Sequence, residues 1–306
     1  MKEKLYNRFS DFLKDRYQAR VYKLPVNIPC TCPNRDGTLS RRGCIFCGSE
    51  GAGFETHPAS VSVREQLQKN MAYIGRRYKA DRFIAYFQSF SSTYLDPESF
   101  SRYLEETLLP GVVAVYISTR PDCLSQAHIS AMKSIKEKGL DVVVELGLQS
   151  VNEDTLSFIN RGHGVEAFTK AAALLKREGI GTGAHVITDF PSDSKDDVIS
   201  CARYLNSLGI DQVKCHSLYI LEGTELGDLY QQGIFLPLDL ESFIERTIAF
   251  LEALSPHIIV QRLLGRAPED RVLYANFGMS WWKVQAILEE KMRAGGRFQG
   301  RLYTRT

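Results

Sequence analysis

The stretch CTCPNRDGTLSRRGCIFCGS, residues 30–49, crowds four cysteines into one loop: Cys30, Cys32, Cys44 and Cys47. Cys44 and Cys47 form a CxxC pair, a spacing that lets two thiolates reach one metal centre. Two chemistries follow. A structural zinc ion takes four ligands, and the chain could supply Cys30 with the other three, or Cys32, Cys44, Cys47 and His57. A 4Fe-4S cluster held by three cysteines instead leaves one iron open, and an open iron can chelate a substrate. Zinc ribbons usually present two CxxC knuckles; this loop has a single one, so the spacing favours the cluster. The seven cysteines are odd in number and four are crowded, which argues against a disulfide framework and for metal or redox chemistry in a reducing compartment.

Other residues capable of chemistry stand within or just after short apolar runs. They fall in YFQSFSSTY (Gln88, Ser89), STRPDC (Arg120, Asp122), ELGLQS (Glu145, Gln149), HVITDFP (His185, Asp189) and KCHS (Lys214, His216). The runs, at 20–26, 82–88, 112–118, 141–148, 180–188 and 211–218, are rich in β-branched and aromatic residues and read as strands. Helical patterns separate them. Residues 96–108 open with Asp96 as N-cap and Pro97 at the first helical position, and they set Phe100, Leu104 and Leu108 on one face. Gly139, Gly179 and Gly209 fit the left-handed position just past a helix end. Six strands alternating with helices imply an α/β fold with parallel strands and right-handed crossovers. Eight such units close a TIM-type barrel, so six give a partial (β/α)6 barrel. In barrels the working residues lie at the C-terminal ends of the strands, where these polar residues and the cysteine loop gather.

The flanks differ from this core. An N-terminal helix (about 3–18) precedes the first strand. From 239 onward come helices, a short strand near HIIVQRLL, and a helix carrying Trp281 and Trp282, a tandem that reads as a core or lid anchor. The expected organisation is an N-terminal helix (1–19), a barrel (20–238) and a C-terminal helical extension (239–306). At 306 residues and 44% apolar content the chain can bury a sizeable core. No run of about 18 apolar residues occurs, and MKEKLYNRFSDFLKDRYQ mixes charge with apolar residues, so no membrane contact is expected and a cytoplasmic location is. The net charge of +2 says little about partners, but Lys291, Arg293, Arg297, Arg301 and Arg305 follow one another with no acid among them. With Phe298 and Tyr303 between, this basic tail reads as a nucleic-acid contact or as a solvated surface.

The cysteine loop after the first strand, the aromatic Phe46 inside the CxxC pair and the six-unit partial barrel resemble the radical SAM enzymes. Their usual spacing is CxxxCxxC; here eleven residues separate Cys32 from Cys44, and the longer loop resembles the branch of the Elongator catalytic subunit. STRPDC, ELGLQS, INRGH and EGTEL resemble segments of that branch, in order, while CPNRDGT and YFQSFSSTY resemble its YhcC-like bacterial subgroup. The similarity spans about residues 20–230. It implies that Cys32, Cys44 and Cys47 hold the 4Fe-4S cluster and that Cys30 is a spare thiol. S-adenosyl-L-methionine would bind the open iron and be cleaved to a 5'-deoxyadenosyl radical.

The resemblance further places Phe46 near the adenine, Gly43 and Gly48 where backbone approaches the cluster, Gln149 at the ribose and Arg161 at the methionine carboxylate. Gln88 and Ser89 stand where the superfamily has a glycine-rich segment for the methionine amino group. Arg120 follows strand three, where Ser118 replaces an expected acid; an Arg120–Asp122 pair closing the turn is the structural alternative. His185 reads as a ribose or substrate contact, or as a satisfied core histidine. Asp189 replaces a glycine and would narrow the pocket or touch substrate. Glu145 can act as acid or base only if it faces the interior with Gly147 and Gln149, while Lys214 and His216 share one face and Cys215 takes the other. Cys123 and Cys201 read as structural.

By resemblance the substrate is tRNA, at the 5-substituent of a wobble uridine, and the subgroup points to conversion of a carboxymethylaminomethyl group toward the aminomethyl form. A low-potential electron donor of flavodoxin or ferredoxin type is implied as partner. Two other readings stand beside it: a radical SAM enzyme acting on a small molecule or protein, and a non-catalytic zinc or iron-sulfur binding module.

Overall fold

The computed structural model describes residues 4–49, 51, 56–268 and 270–304. Its strands are β1 (Val21–Val26), β2 (Arg82–Phe87), β3 (Val112–Thr119), β4 (Asp141–Gln149), β5 (Gly181–Ile187), β6 (Gln212–His216), β7 (Ile220–Leu221), β8 (Ile259–Arg262) and β9 (Val272–Tyr274). Its α-helices are α1 (Phe9–Tyr17), α2 (Val63–Tyr78), α3 (Pro97–Glu105), α4 (Gln126–Glu137), α5 (Glu153–Phe158), α6 (Val165–Arg177), α7 (Lys195–Leu208), α8 (Glu225–Gln231), α9 (Leu240–Ala253) and α10 (Trp281–Ala294).

Among the described residues, seven strands form one curled parallel half-barrel sheet in the order β1-β2-β3-β4-β5-β6-β8. The local signals hold where they are strong. Asp96 accepts a hydrogen bond from the Ser99 backbone at the start of α3, Pro97 fills its first position, and Phe100 and Leu104 are buried. Gly139, Gly179 and Gly209 take φ of +94°, +67° and +64°, the left-handed region that only glycine enters without strain.

The expectation of six barrel strands falls short by one. β8, from the HIIVQRLL segment, extends the sheet in parallel beside β6, with Val213 opposite Val260. Val260 is buried and completes the same apolar cluster as Val213, so β8 covers what would be an open edge of β6. The expected boundary at 238/239 thus falls inside a continuous sheet.

The period of two along each strand sorts side chains to two faces. Val115, Ile117, Val144 and Leu146 join the large cluster beneath the outer helices. Ile84, Tyr86, Ala114, Tyr116 and Val143 face the concave side, where Phe9, Phe12 and Leu13 of α1 pack on them. That concave face positions the site described below.

Two expectations about the C-terminal region are corrected. Trp281 and Trp282 are not a core anchor: they are 45% and 56% exposed. The buried face of α10 is Val284, Leu288 and Met292, at i, i+4 and i+8; Trp282 lies off that stripe, and Trp281, in line with Leu288, stands at the first position of the helix, where the face is uncovered. The basic tail is folded. The Gln299 backbone donates to Leu5 O at 2.9 Å, and its side chain donates to the carbonyls of Ser255 and Ile258 at 2.7 and 2.8 Å. Lys291 pairs with Glu241 and Glu245, Arg297 with Glu245 and Glu252, and Arg301 with Glu252, all acids of α9. Arg293 pairs with Glu289 one turn earlier, and Arg305 lies outside the described residues. No described helix is long and apolar enough to cross a membrane.

Candidate active site

The sulfurs come first. Cys32, Cys44 and Cys47 all line one cavity at the C-terminal ends of the sheet strands. The loop that carries them is stitched down by asparagines. Buried Asn34 donates to Asn160 O at 2.6 Å, Asn160 returns a bond to Gly43 O at 2.6 Å, and the Gly43 N–H donates to Asn34 O at 2.7 Å. Gly43 sits at φ +74°, a turn that a side chain would strain.

Donors are aimed at the thiols. Arg161 Nη1 and Asn34 Nδ2 lie 3.6 and 3.7 Å from Cys44 Sγ, and Arg35 Nη1 lies 3.5 Å from Cys47 Sγ. Such N–H groups offset negative charge on metal-bound sulfur. Burial and the neighbouring Cys44 push the Cys47 thiol up to about 11, against the pull of Arg35.

The zinc sets do not assemble. Cys30 turns away from the cavity, its thiol donates to Ser89 O at 3.2 Å, and burial pushes it up to about 12. The His57 ring lies 3.2 Å from Asn70 Oδ1. Among the described residues, no three His, Cys, Asp or Glu side chains group closely enough to grip a single ion. Three thiols around a cavity, with donors on their sulfurs, suit the broader footprint of a cluster.

Other expected site residues separate into those on the wall and those behind it. Phe46, Gln88, Gln149, Arg161 and His185 line the cavity with the thiols. Gln149 has φ +76°, a strained conformation held where the β4–β5 register shifts. Arg161 is fixed by Gly147 O at 2.8 Å, while its buried Nε has no partner among the described residues. Arg120 reaches the wall but is committed to structure: it grips Asp122 at 2.9 and 2.7 Å and donates to Arg161 O at 2.8 Å. Ser89 is buried behind the wall with its carbonyl on Cys30. Asp189 does not narrow the pocket. Its carboxylate accepts twice from the Leu218 backbone, at 2.9 and 3.0 Å, and so braces the loop after β6.

Beneath the cavity the concave face carries a charged network that sequence reading captured only in part. Fully buried Glu145 meets Lys23 at 2.6 Å, His185 at 2.7 Å and Lys214 at 3.2 Å. Burial alone would raise the Glu145 carboxyl, but Lys214, Lys23 and the His185 hydrogen bond outweigh it and hold it well below the usual range. Burial, then Lys214, pushes His185 down to about 4, so the ring is neutral at physiological pH. Lys214 also donates to the Tyr86 hydroxyl at 2.6 Å. Lys23 lies over the Tyr116 ring, 4.2 Å from its centroid. Lys23, Tyr86, Arg35, Arg262 and Arg266 were missed. The available signal was a polar residue inside an otherwise apolar strand, as in VYKLPV and RFIAYF. A wider groove of about 500 Å³, bounded by Asp141, Lys136 and Asp211, lies at the opposite, N-terminal ends of the strands.

A partial parallel barrel that gathers three thiols, donors to their sulfurs and an arginine-lined cavity at its C-terminal rim is built as an enzyme that holds a cluster and a cosubstrate. Residues 31–223 match the Radical SAM superfamily and residues 210–294 the Radical_SAM C-terminal domain. The chain belongs to the radical SAM superfamily, whose members bind S-adenosylmethionine and an iron-sulfur cluster. Along nearly its whole length it is similar to uncharacterized protein YtqA of Bacillus subtilis, at 29% identity over 99% of this chain and 94% of that protein. It is similarly related to YhcC of Escherichia coli, at 28% identity over 96% and 94%. A tRNA uridine(34) acetyltransferase of Methanocaldococcus infernus is 33% identical over 50% of this chain, which spans only 28% of that protein. The solved structure of archaeal Methanocaldococcus infernus Elp3 shares the fold, with a TM-score of 0.67 at 20% identity, covering 91% of this chain and 64% of that one.

Proposed function

We propose that this chain modifies tRNA at the 5-substituent of the wobble uridine, taking a carboxymethylaminomethyl group toward the aminomethyl form. The observation that carries the substrate is the 33% identity, over 156 residues, with a protein named for its action on uridine 34 of tRNA. The cation-lined cavity supports an RNA substrate on independent grounds.

Cys32, Cys44 and Cys47 would hold a 4Fe-4S cluster, with Arg161, Asn34 and Arg35 donating to their sulfurs. Phe46, Gln88, Gln149 and His185 would border S-adenosylmethionine, and the unpartnered Nε of Arg161 would meet its carboxylate. Arg120 would act through Arg161, which it holds by the backbone. When bound, the cluster supplies the electron that breaks the sulfonium bond of S-adenosylmethionine. A flavodoxin- or ferredoxin-type donor would restore that electron.

The test is nucleoside mass spectrometry of tRNA from a deletion strain, with anaerobic reconstitution of the purified protein alongside. Accumulated carboxymethylaminomethyluridine, together with 5'-deoxyadenosine formed on reduction, supports the proposal. An unchanged nucleoside profile with 5'-deoxyadenosine still formed moves the substrate to a small molecule or protein. One observation favours that second reading: Lys291, Arg297 and Arg301 are spent on acids of α9, so the basic segment is not a free RNA contact. A protein that takes up zinc alone and forms no 5'-deoxyadenosine would be a binding module.

A further inference from the structure

The cavity has two ends. Arg35 and Arg161 attend the thiols at one end. At the other, Lys214 and Arg262 stand opposite each other on β6 and β8, after a register shift between Val213 and Lys214, and both line the cavity with His216. Among the described residues, the wall bears the cations Arg35, Arg120, Arg161, Lys214, Arg262 and Arg266 and no carboxylate.

Behind the wall, Lys214 and Lys23 share the single carboxylate of Glu145, at 3.2 and 2.6 Å. Two amino groups share one carboxylate where Lys214 is only 7% exposed, and burial pushes both below the usual lysine range, Lys214 well below it; a second anion beside Lys214 offsets that burial and favours its ammonium form. A buried charge of one sign is costly until an opposite charge joins it. His216 adds no charge. Arg262 Nη2 lies 2.8 Å from its Nδ1, and because a guanidinium can only donate, that ring nitrogen is an acceptor. The same Nη2 lies 3.2 Å from Nε2, so the histidine holds the guanidinium at the cavity wall that Lys214 also lines.

We propose that Lys214, Arg262 and His216 form a subsite for an anionic group of the substrate, a carboxylate or a phosphate, held between the ammonium and the guanidinium. The subsite rests on the tRNA reading only for which molecule brings the anion. A carboxylate would come from the uridine substituent, and a phosphate from the RNA backbone.

The test uses the reconstituted protein with S-adenosylmethionine. Isothermal titration compares 5-carboxymethylaminomethyluridine with its neutral amide, and retardation of whole tRNA is followed against salt. A carboxylate subsite gives at least about tenfold preference for the acid, the size of one charge-assisted hydrogen bond, with Lys214→Gln erasing it and Lys214→Arg keeping it. A phosphate subsite gives equal binding of acid and amide, with Lys214→Gln lowering the salt slope for tRNA by about one. If Lys214→Gln fails to fold, Arg262→Gln carries both comparisons. Folded variants that change neither preference nor slope overturn the subsite. Acid preference without any turnover of tRNA would instead sink the tRNA reading and leave the subsite standing.

Discussion

Gly147 sets the position of Arg161, and replacing it with alanine isolates that arginine. A Cβ at Gly147 would stand 2.4 Å from Arg161 Nη2, 3.1 Å from Gln149 Nε2 and 3.4 Å from Arg161 Cζ. Nonbonded heavy atoms settle at about 3.5 Å, so the guanidinium must retreat by about 1 Å. The backbone raises no objection, because Gly147 lies outside the positive-φ glycines. The retreat breaks the bonds to Gly147 O at 2.8 Å and to Cys44 Sγ at 3.6 Å. Overpacking costs about 1–3 kcal/mol of stability. Losing one charge-assisted bond to the S-adenosylmethionine carboxylate costs about 1.5–3 kcal/mol, or about ten- to a hundredfold in affinity. Equilibrium dialysis of S-adenosylmethionine against anaerobically reconstituted Gly147→Ala, with a melting curve on the same sample, reads both effects. The affinity losses of Gly147→Ala and Arg161→Gln should not add, since both act on one contact. A variant that binds S-adenosylmethionine within about twofold of wild type would refute the assignment of Arg161 to the carboxylate.

Three further outcomes are expected. Alanine at Cys32, Cys44 or Cys47 should abolish iron and sulfide uptake, whereas Cys30→Ala should keep both and cost about 1 kcal/mol for its bond to Ser89 O; iron loss in Cys30→Ala would make Cys30 a ligand. Burial pushes the Asp189 carboxyl from 3.8 up to about 7, so the folded state holds a proton that the unfolded state releases. The stability contributed by that proton is full below about pH 4 and lost as pH rises to 7, so Asp189→Asn should gain on wild type across that window and no further above it, by denaturant unfolding at stepped pH. Glu252→Ala leaves Arg297 and Arg301 without their shared carboxylate and should cost about 1–3 kcal/mol in urea unfolding, less than a fully buried pair because both arginines are partly exposed. An unchanged midpoint would show that the pairing contributes nothing.

Much of this protein was legible along the chain because it is encoded locally. Strand runs, the Asp96–Pro97 helix start and the glycines at 139, 179 and 209 each act within a few residues, and the structure keeps them. The thiols were legible too: the CxxC spacing of Cys44 and Cys47 brings two sulfurs to one place whatever the rest of the fold does. The remainder depended on which strands become neighbours. Lys23 and Glu145 are 122 positions apart and meet only because both face the concave side of one sheet. The place of β8 beside β6, and the register shift that turns Arg262 onto the cavity with Lys214, follow from edge pairing that local periodicity does not encode. The charge from Lys291 onward reads along the chain as a nucleic-acid contact or a solvated surface; α9 brings Glu241, Glu245 and Glu252 against Lys291, Arg297 and Arg301. Periodicity fixes which side of an element a residue occupies. Only packing decides what stands opposite, and there a thiol such as Cys30 finds a carbonyl while its neighbours find a cavity.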